Sequence, residues 1–289
     1  MKRFCIITNT DKGENAQMVQ HIVHFLEEKD CLCSVMENKL WLAGNIRHFT
    51  DVTKLSDQLD CVIVLGGDGT MIQAAIDLVH KDLPILGVNT GTLGFLTEVE
   101  QNYIDAALTR LIQGDYTIES RIMLKECKMF YKPDSVSSCY ALNDMVISKR
   151  GNCRLITVKV CVNGELADVY RADGLIISTP TGSTGYNLSA GGPVMAPNIH
   201  AMVVTPICAH SLNKRSLVLD GSDRITLEIG QTKDVTKDLA VLIADGRNVG
   251  DLQTGDVLEI QVPKADTKII KLSGMDFYEK MREKLNGEV

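Results

Sequence analysis

Cys61-Val62-Ile63-Val64-Leu65-Gly66-Gly67-Asp68-Gly69-Thr70 is the stretch that decides the fold of the first half of this chain. Its apolar run is short and rich in β-branched side chains, which predicts a strand buried on both faces. The glycines that follow let the backbone turn sharply, and Thr70–Val79 then reads as a helix. The same alternation surrounds it. Arg3–Thr8 reads as a buried strand, and Asn15–Lys29 has apolar residues at Met18, Val19, Ile22, Val23, Phe25 and Leu26, a helical spacing. Pro84–Val88 is another strand and Tyr103–Gln113 another helix. Strands alternating with helices predict an α/β domain, a parallel sheet with helices on both faces, over residues 1–117. Ligands of such sheets bind beyond the carboxyl ends of the strands, where Gly66–Thr70 and the second glycine-bearing loop, Asn89–Gly94, both fall.

The texture changes near Ile118. Short runs rich in Val, Ile, Leu and Thr recur through Met123–Tyr131, Tyr140–Ser148, Leu155–Val162, Leu166–Arg171, Leu175–Ser178, Met202–Pro206, Ile225–Ile229, Ala240–Ala244, Val257–Val262 and Lys268–Lys271. Asn163-Gly164 is a hairpin turn signal between two of them. Residues 118–272 are therefore expected to form an all-β, sandwich-like domain. Residues 273–289 return to a helix, with Phe277, Tyr278, Met281 and Leu285 on one face, expected to pack on the first domain.

Composition narrows the partners. The chain has 289 residues, 45% hydrophobic, and a formal net charge of −7. That sign argues against a general grip on nucleic acid or an anionic membrane. No apolar run reaches the ~20 residues that span a bilayer. The start, Met1-Lys2-Arg3-Phe4-Cys5-Ile6-Ile7, gives way at once to polar residues, so it reads as a first strand and not a signal peptide. Nine cysteines with no Cys-x-x-Cys pair, several inside apolar runs, fit a reducing cytoplasm.

Two constellations could carry chemistry. In Gly66–Thr70 the backbone N–H groups of Gly66, Gly67 and Gly69 are open to phosphate, and Thr70 is expected to cap the following helix. Asp68 in an anion-attracting loop could hold a divalent metal between phosphates or take a proton from an attacking hydroxyl; its bland reading is a tight-turn aspartate. The loop is not a Walker A motif, since no Gly-Lys-[Ser/Thr] occurs. The second constellation runs from Arg171 through Asp173 and Ser178-Thr179-Pro180-Thr181-Gly182-Ser183-Thr184-Gly185-Tyr186-Asn187 to Ser189-Ala190-Gly191-Gly192-Pro193. Thr181, Ser183 and Thr184 offer small groups that can read a base edge, Gly182 and Gly185 allow close approach, and Tyr186 can stack. The bland reading is a surface loop. Asn143-Asp144 interrupts an apolar strand, so one of the two is expected to be buried and paired, with a ligand or with a loop. Asp245-Gly246 could be a hairpin turn. His21 and His24 lack a third ligand for a metal.

These residues resemble the NAD kinase family. The resemblance rests on Gly66–Thr70, Leu86-Gly87-Val88-Asn89-Thr90-Gly91-Thr92-Leu93-Gly94-Phe95-Leu96, Ala141–Asp144, Asp173–Tyr186 and Thr205-Pro206-Ile207-Cys208-Ala209-His210-Ser211-Leu212, in the family's order from about residue 60 to 250. It implies an enzyme, a phosphotransferase with an alcohol acceptor, that moves the γ-phosphoryl of ATP to the adenosine 2′-hydroxyl of NAD. It also implies Mg²⁺ and a homodimer or homotetramer, with the dinucleotide between the domains and near a subunit interface. Carried over by position, Asp68 would activate the 2′-hydroxyl, with Gly69 beside it. Asn143, Thr181 and Thr184 would read the adenine, and Asp144 the ribose. Asp173 of a neighbouring subunit would face the nicotinamide end, as would Gly185 and Tyr186; Arg171 is carried over as a further dinucleotide contact. Asp245 would lie near the 2′-hydroxyl or the second ribose. The metal's own ligands are not assigned. Many members have Glu where this chain has Asp144 and Ala where it has Gly185. Lipid kinases share the Gly-Gly-Asp-Gly-Thr loop, but the acidic balance, the single Trp41 and the lack of a basic membrane-facing stretch count against them. A dinucleotide sensor would use the same pocket and leave Asp68 without a task.

Overall fold

A computed structural model describes the chain except for residues 9–12, 38–40, 44–45, 92–93, 130–138, 152–154, 212–213, 232–239, 275 and 287–289. Thr92, Leu93, Phe130, Tyr131 and Leu212 of the runs quoted above lie outside the described residues, as does the side chain of Leu285. The chain divides into two units, Met1–Arg121 with Ala265–Val289, and Ile122–Lys264.

The first unit is built on a sheet in the order Leu32–Glu37, Arg3–Thr8, Cys61–Leu65, Ile85–Asn89, Thr267–Lys271, Thr117–Arg121, with the short strand Val99–Glu100 also paired to Ile85–Asn89. Every pairing is parallel except the last two strands of that order. Cys61–Leu65 is buried throughout, because both faces are covered. On one face Phe4, Ile6, Ile63, Leu65, Leu86 and Val88 join Ile22 and Leu26 of helix Gly13–Glu28 and Leu108 and Leu111 of helix Ile104–Gln113. Each such side chain contributes about 1.5–3 kcal/mol by leaving water. The other face takes helix Asp68–Asp77, which comes so near that a Cβ on Gly87 would lie 2.8 Å from Met71 Sδ. A side chain there would displace the Met71 thioether and press on Thr97 Cα at 3.1 Å.

The second unit stacks two antiparallel six-stranded sheets. One has the order Tyr140–Ala141, Leu124–Met129, Val257–Gln261, Ile225–Ile229, Ile156–Val162, Glu165–Ala172; the other, Leu217–Asp220, Ala201–Ile207, Gly174–Ser178, Asp144–Lys149, Ala240–Ala244, Arg247–Leu252. Alternate residues turn inward, as period-two strands require. Val158, Val160, Leu227 and Leu258 of one sheet meet Met145, Ile147, Ile177 and Leu242 of the other in a single core. Asn163 and Gly164 both have positive φ (52° and 88°), the backbone a two-residue hairpin needs.

Three expectations need correction. The domain boundaries shift: residues 118–121 and the strand Thr267–Lys271 belong to the first unit's sheet, not to the β unit. Ile269 and Ile270 point to opposite faces and are both buried, so the strand needs cover on two sides, which a local reading of its residues does not reveal. Helix Asp68–Asp77 starts two residues before Thr70. In the last helix, Phe277–Asn286, Tyr278 is 55% exposed, and the anchoring residue is Lys280, 6% exposed.

Candidate functional site

In the first unit, strand Cys61–Leu65 ends where Gly66 N–H donates to Val88 O at 3.0 Å. A Cβ on Gly66 would lie 2.4 Å from Thr70 Oγ1, so this turn accepts no side chain. Gly67 is the cap of the helix: its carbonyl accepts the N–H groups of Thr70 and Met71 at 3.0 and 3.1 Å, and no side chain caps this end. Thr70 is therefore not the cap that the sequence suggests; it lies inside the first turn. Gly67 and Gly69 have open space where a side chain would be, which leaves the helix's first amides reachable by an anion.

Asp68 is the first residue of that helix and is only partly buried. Its Oδ2 accepts Phe95 N–H at 2.8 Å and its Oδ1 accepts Leu96 N–H at 3.0 Å. The second glycine-bearing loop thus holds the carboxylate, and a Cβ on Gly94 would fall 1.8 Å from Asp68 Oδ1. Gly94 N–H in turn donates to Thr97 Oγ1 at 3.0 Å. Two amide donors fix the carboxylate's orientation and leave lone pairs on both oxygens for a substrate. Among the described residues, no three His, Cys, Asp or Glu side chains gather as a metal site.

In the second unit the Asp245-Gly246 turn joins Ala240–Ala244 to Arg247–Leu252, with both residues at positive φ (44° and 75°). The Asp245 side chain then folds against another segment. Its Oδ2 accepts Leu142 N–H at 2.7 Å, and its Oδ1 accepts Asn143 and Asp144 N–H at 2.9 and 3.0 Å. The resemblance places Asp245 by a ribose; the structure directs its carboxylate to backbone amides. Burial pushes its acid up, and the amides of Asp144, Leu142 and Asn143 oppose that. Three N–H donors favour the ionised form of Asp245, so the proton of this acid pair is assigned to Asp144. Burial and then the Asp245 charge push the Asp144 acid up to about 7.

Asn143 is held by its backbone and has its side chain to spare. Its carbonyl accepts Thr179 N–H at 2.9 Å, and Gly182 packs on it so closely that a Cβ would lie 2.2 Å from that oxygen. Asn143 Oδ1 is buried without a hydrogen-bond partner. Thr181–Thr184 forms a 3₁₀ turn beside it, followed by the one-turn helix Tyr186–Ser189. A Cβ on Gly185 would stand 3.3 Å from Gly182 O and 3.9 Å from Asn143 Nδ2, so the missing methyl leaves a gap beside the amide. Asn143, Asp144, Asp245 and the 181–185 turn come together. Asp173 does not join them: it sits at the far end of strand Gly174–Ser178, about 17 Å away by strand rise, paired with Lys149 at 2.6 Å. Arg171 and Tyr186 are exposed.

Sequence reading missed several residues that build these loops. Thr179 Oγ1 donates to Leu142 O at 2.6 Å and accepts Gly182 N–H at 3.1 Å, tying the Leu142–Asn143 segment to the 181–185 turn. Ser183 receives Met195 N–H at 2.9 Å, and Asn187 accepts Thr205 Oγ1–H at 2.7 Å, all four residues buried. The density of hydroxyls in the run signalled polar partners; here part of that density serves the loop itself.

The comparisons with known proteins agree with both units. The family model for the ATP-NAD kinase N-terminal domain matches residues 4–116, and that for the ATP-NAD kinase C-terminal domain matches residues 142–272. An NAD kinase of Lachnoclostridium phytofermentans is 44% identical over 286 residues, 98% of this chain and 99% of its own. One of Lachnospira eligens is 39% identical over 296 residues, 99% of this chain and 100% of its own. Among solved structures, a yeast NADH kinase complexed with NADH superposes with a TM-score of 0.79 at 23% identity, covering 99% of this chain and 88% of that one. An Archaeoglobus fulgidus NAD kinase in complex with ATP gives 0.71 at 23% identity, covering 99% and 97%. At that identity the two structures speak for the fold alone. The full-length relatives speak for more: matched end to end and in both domains, the chain belongs to the NAD kinase family.

Proposed function

We propose that this chain transfers the γ-phosphoryl group of ATP to the 2′-hydroxyl of the adenosine ribose of NAD, giving NADP. The observation that carries the reading is the Asp68 carboxylate, pinned by the Phe95 and Leu96 amides at a helix start that no side chain caps. Gly67, Gly69 and Thr70 provide the phosphate end of the site; Gly66, also expected to offer an open amide, spends its N–H on Val88 O and shapes the turn. A ribose hydroxyl is a weak nucleophile at neutral pH and needs a positioned base. Asp68 takes the hydroxyl proton as the ribose oxygen bonds to the γ-phosphorus. The bond to the β,γ-bridging oxygen breaks, and ADP leaves.

In the second unit the unpartnered Asn143 Oδ1 suits an adenine amino group, with Thr181 and Thr184 beside it and Asp144 toward the ribose hydroxyls. Asp245 holds this turn in place. Asp173, Gly185 and Tyr186 remain assigned to the nicotinamide end by resemblance, Asp173 from a neighbouring subunit of a homodimer or homotetramer, and Arg171 stays a further dinucleotide contact. The donor set also suits Mg²⁺. That ion usually keeps its waters and binds largely through substrate phosphates, so a phosphate-binding loop beside a carboxylate would hold it mainly through ATP, with no protein ligand assigned. When bound, it would neutralise charge on the transferring phosphoryl group. A cytoplasmic location fits thiols such as Cys5 and Cys61, free and buried as small hydrophobes.

An assay with NAD, ATP and Mg²⁺ that follows NADP formation tests the reading. Asp68→Asn should lower kcat at least about 10²-fold, within the usual range for a general base. The sequence alone suggests an unchanged melting temperature. The structure corrects this, because the Asn amide would face a backbone N–H, at roughly 1–3 kcal/mol. NAD binding should persist. A variant with more than about a tenth of wild-type turnover would remove Asp68 from the chemistry, and a wild-type chain that binds NAD without turnover would be a sensor.

A further inference from the structure

Glu98 and Lys280 are buried charges to which the reaction above gives no task. The Glu98 side chain is fully buried. Its Oε1 accepts Leu272 N–H at 2.9 Å, Ser273 N–H at 2.6 Å and Ser273 Oγ–H at 2.5 Å. Its Oε2 is paired with Lys271 and, at 3.3 Å, with Lys280. Burial works against this carboxylate, yet Lys271, Ser273 and Lys280 outweigh it and hold its pKa below the ordinary value. Lys280 also donates to Thr97 O at 3.2 Å, and Lys284, one helical turn on, lies 5.0 Å from the centre of the Phe95 ring. Removing one partner of such a buried network leaves the others uncompensated, so it holds its parts in one arrangement.

These contacts all fall on the segment Gly94–Glu98, whose other side holds the Asp68 carboxylate through the Phe95 and Leu96 amides. We propose that helix Phe277–Asn286 positions Asp68, with Lys280 and Glu98 as positioning residues that act through this segment. The inference rests on the proposed role of Asp68. A small displacement of the two amides would turn the carboxylate away from the hydroxyl and slow the chemical step, while leaving nucleotide affinity intact.

The test compares Lys280→Met and Lys280→Arg in the wild-type and Asp68→Asn backgrounds, reading kcat, both KM values and melting temperature. Lys280→Met keeps the apolar stem and should lower kcat about ten-fold, with KM for NAD and for ATP within about two-fold of wild type. Lys280→Arg, which keeps a donor, should recover most of the loss. In the Asp68→Asn background Lys280→Met should cost nothing further, because the residue it positions has lost its function. A Lys280→Met enzyme with unchanged kcat beside an impaired Asp68→Asn enzyme overturns the positioning role alone, as does an equal loss in both backgrounds. Wild-type turnover in Asp68→Asn overturns the role of Asp68 itself, and the positioning role with it. If Lys280→Met does not fold, Lys284→Ala leaves the buried pairs in place and should lower kcat about two- to three-fold with the same KM pattern; an unchanged kcat there counts against the proposal.

Discussion

Asp68 in the first unit accepts two backbone N–H groups from a neighbouring loop, and Asp245 in the second accepts three. Both are carboxylates that hold a distant stretch of chain by its amides. They differ in how far their oxygens are spent, both side chains being partly exposed. Asp68 opens a helix at a glycine-rich turn with one amide on each oxygen, whereas Asp245 sits in a hairpin turn with two amides on Oδ1 and one on Oδ2. A clamp with one donor per oxygen keeps lone pairs for a substrate; a third donor spends the carboxylate further on the fold. A carboxylate in a ligand loop is thus not by itself a chemical group, and counting its backbone partners separates the two uses.

The largest effect expected from this contrast is on stability. Asp245→Ala would leave three amides without an acceptor, those of the buried Leu142 and Asp144 among them, at about 1 kcal/mol or more each, for a total upward of about 3 kcal/mol. Asp68→Ala leaves two, that of the half-buried Phe95 and that of the buried Leu96, at roughly 2 kcal/mol together. Urea unfolding of the two variants measures the difference. Equal losses would break the comparison, and an Asp245→Ala chain that folds normally but has lost turnover would move Asp245 into the chemistry.

Much of this was legible in the residues and some was not, for physical reasons. The run Cys61–Thr70 announces itself because a strand buried on both faces must be apolar and a tight phosphate turn must be glycine-rich. The sandwich pattern is equally local, since Val158, Val160 and their neighbours alternate by face. Which sheet receives Thr267–Lys271 is decided by partners more than a hundred residues away in sequence, and no local pattern encodes that. Lys280 was passed over because a lysine on a helix usually faces water, and its partner Glu98 is 182 positions distant. The hydroxyl-rich run pointed to a ligand pocket. It did not show that Thr179 and Ser183 hold the loop itself, while the neighbouring Asn143 leaves a buried acceptor open.

The next effect sharpens the acid pair. Burial and the Asp245 charge push the folded-state acid of Asp144 up to about 7, against about 3.9 for an unfolded aspartate. The folded chain therefore keeps a proton that the unfolded chain has released across about pH 4–7. In that window the unfolded state binds fewer protons, so stability falls as pH rises, by at most about 1.4 kcal/mol per unit for one group. Below the window both states are protonated and above it both are ionised, so the slope vanishes. The wild-type curve minus the Asp144→Asn curve should show this decline; a flat or rising difference would place the proton elsewhere.

The smallest effect separates holding from reading at a single residue. Asn143 spends its backbone on Asp245 and Thr179 and keeps Oδ1 buried without a partner. A buried acceptor without a donor costs the free protein stability, and it is tolerated where a ligand supplies the donor. Asn143→Ala keeps every backbone contact and deletes the unpaired oxygen, so the free protein should be at least as stable as wild type. In the complex the loss is that of a ligand donor left unpaired, roughly 1–3 kcal/mol. The KM for NAD should rise about ten-fold or more, with a smaller change for ATP. A residue that merely supported the turn would behave in the opposite way: it would lower the melting temperature and raise both KM values together. Steady-state kinetics on both substrates, alongside a melting curve of the free variant, decide between a side chain that reads a base and one that fills a gap.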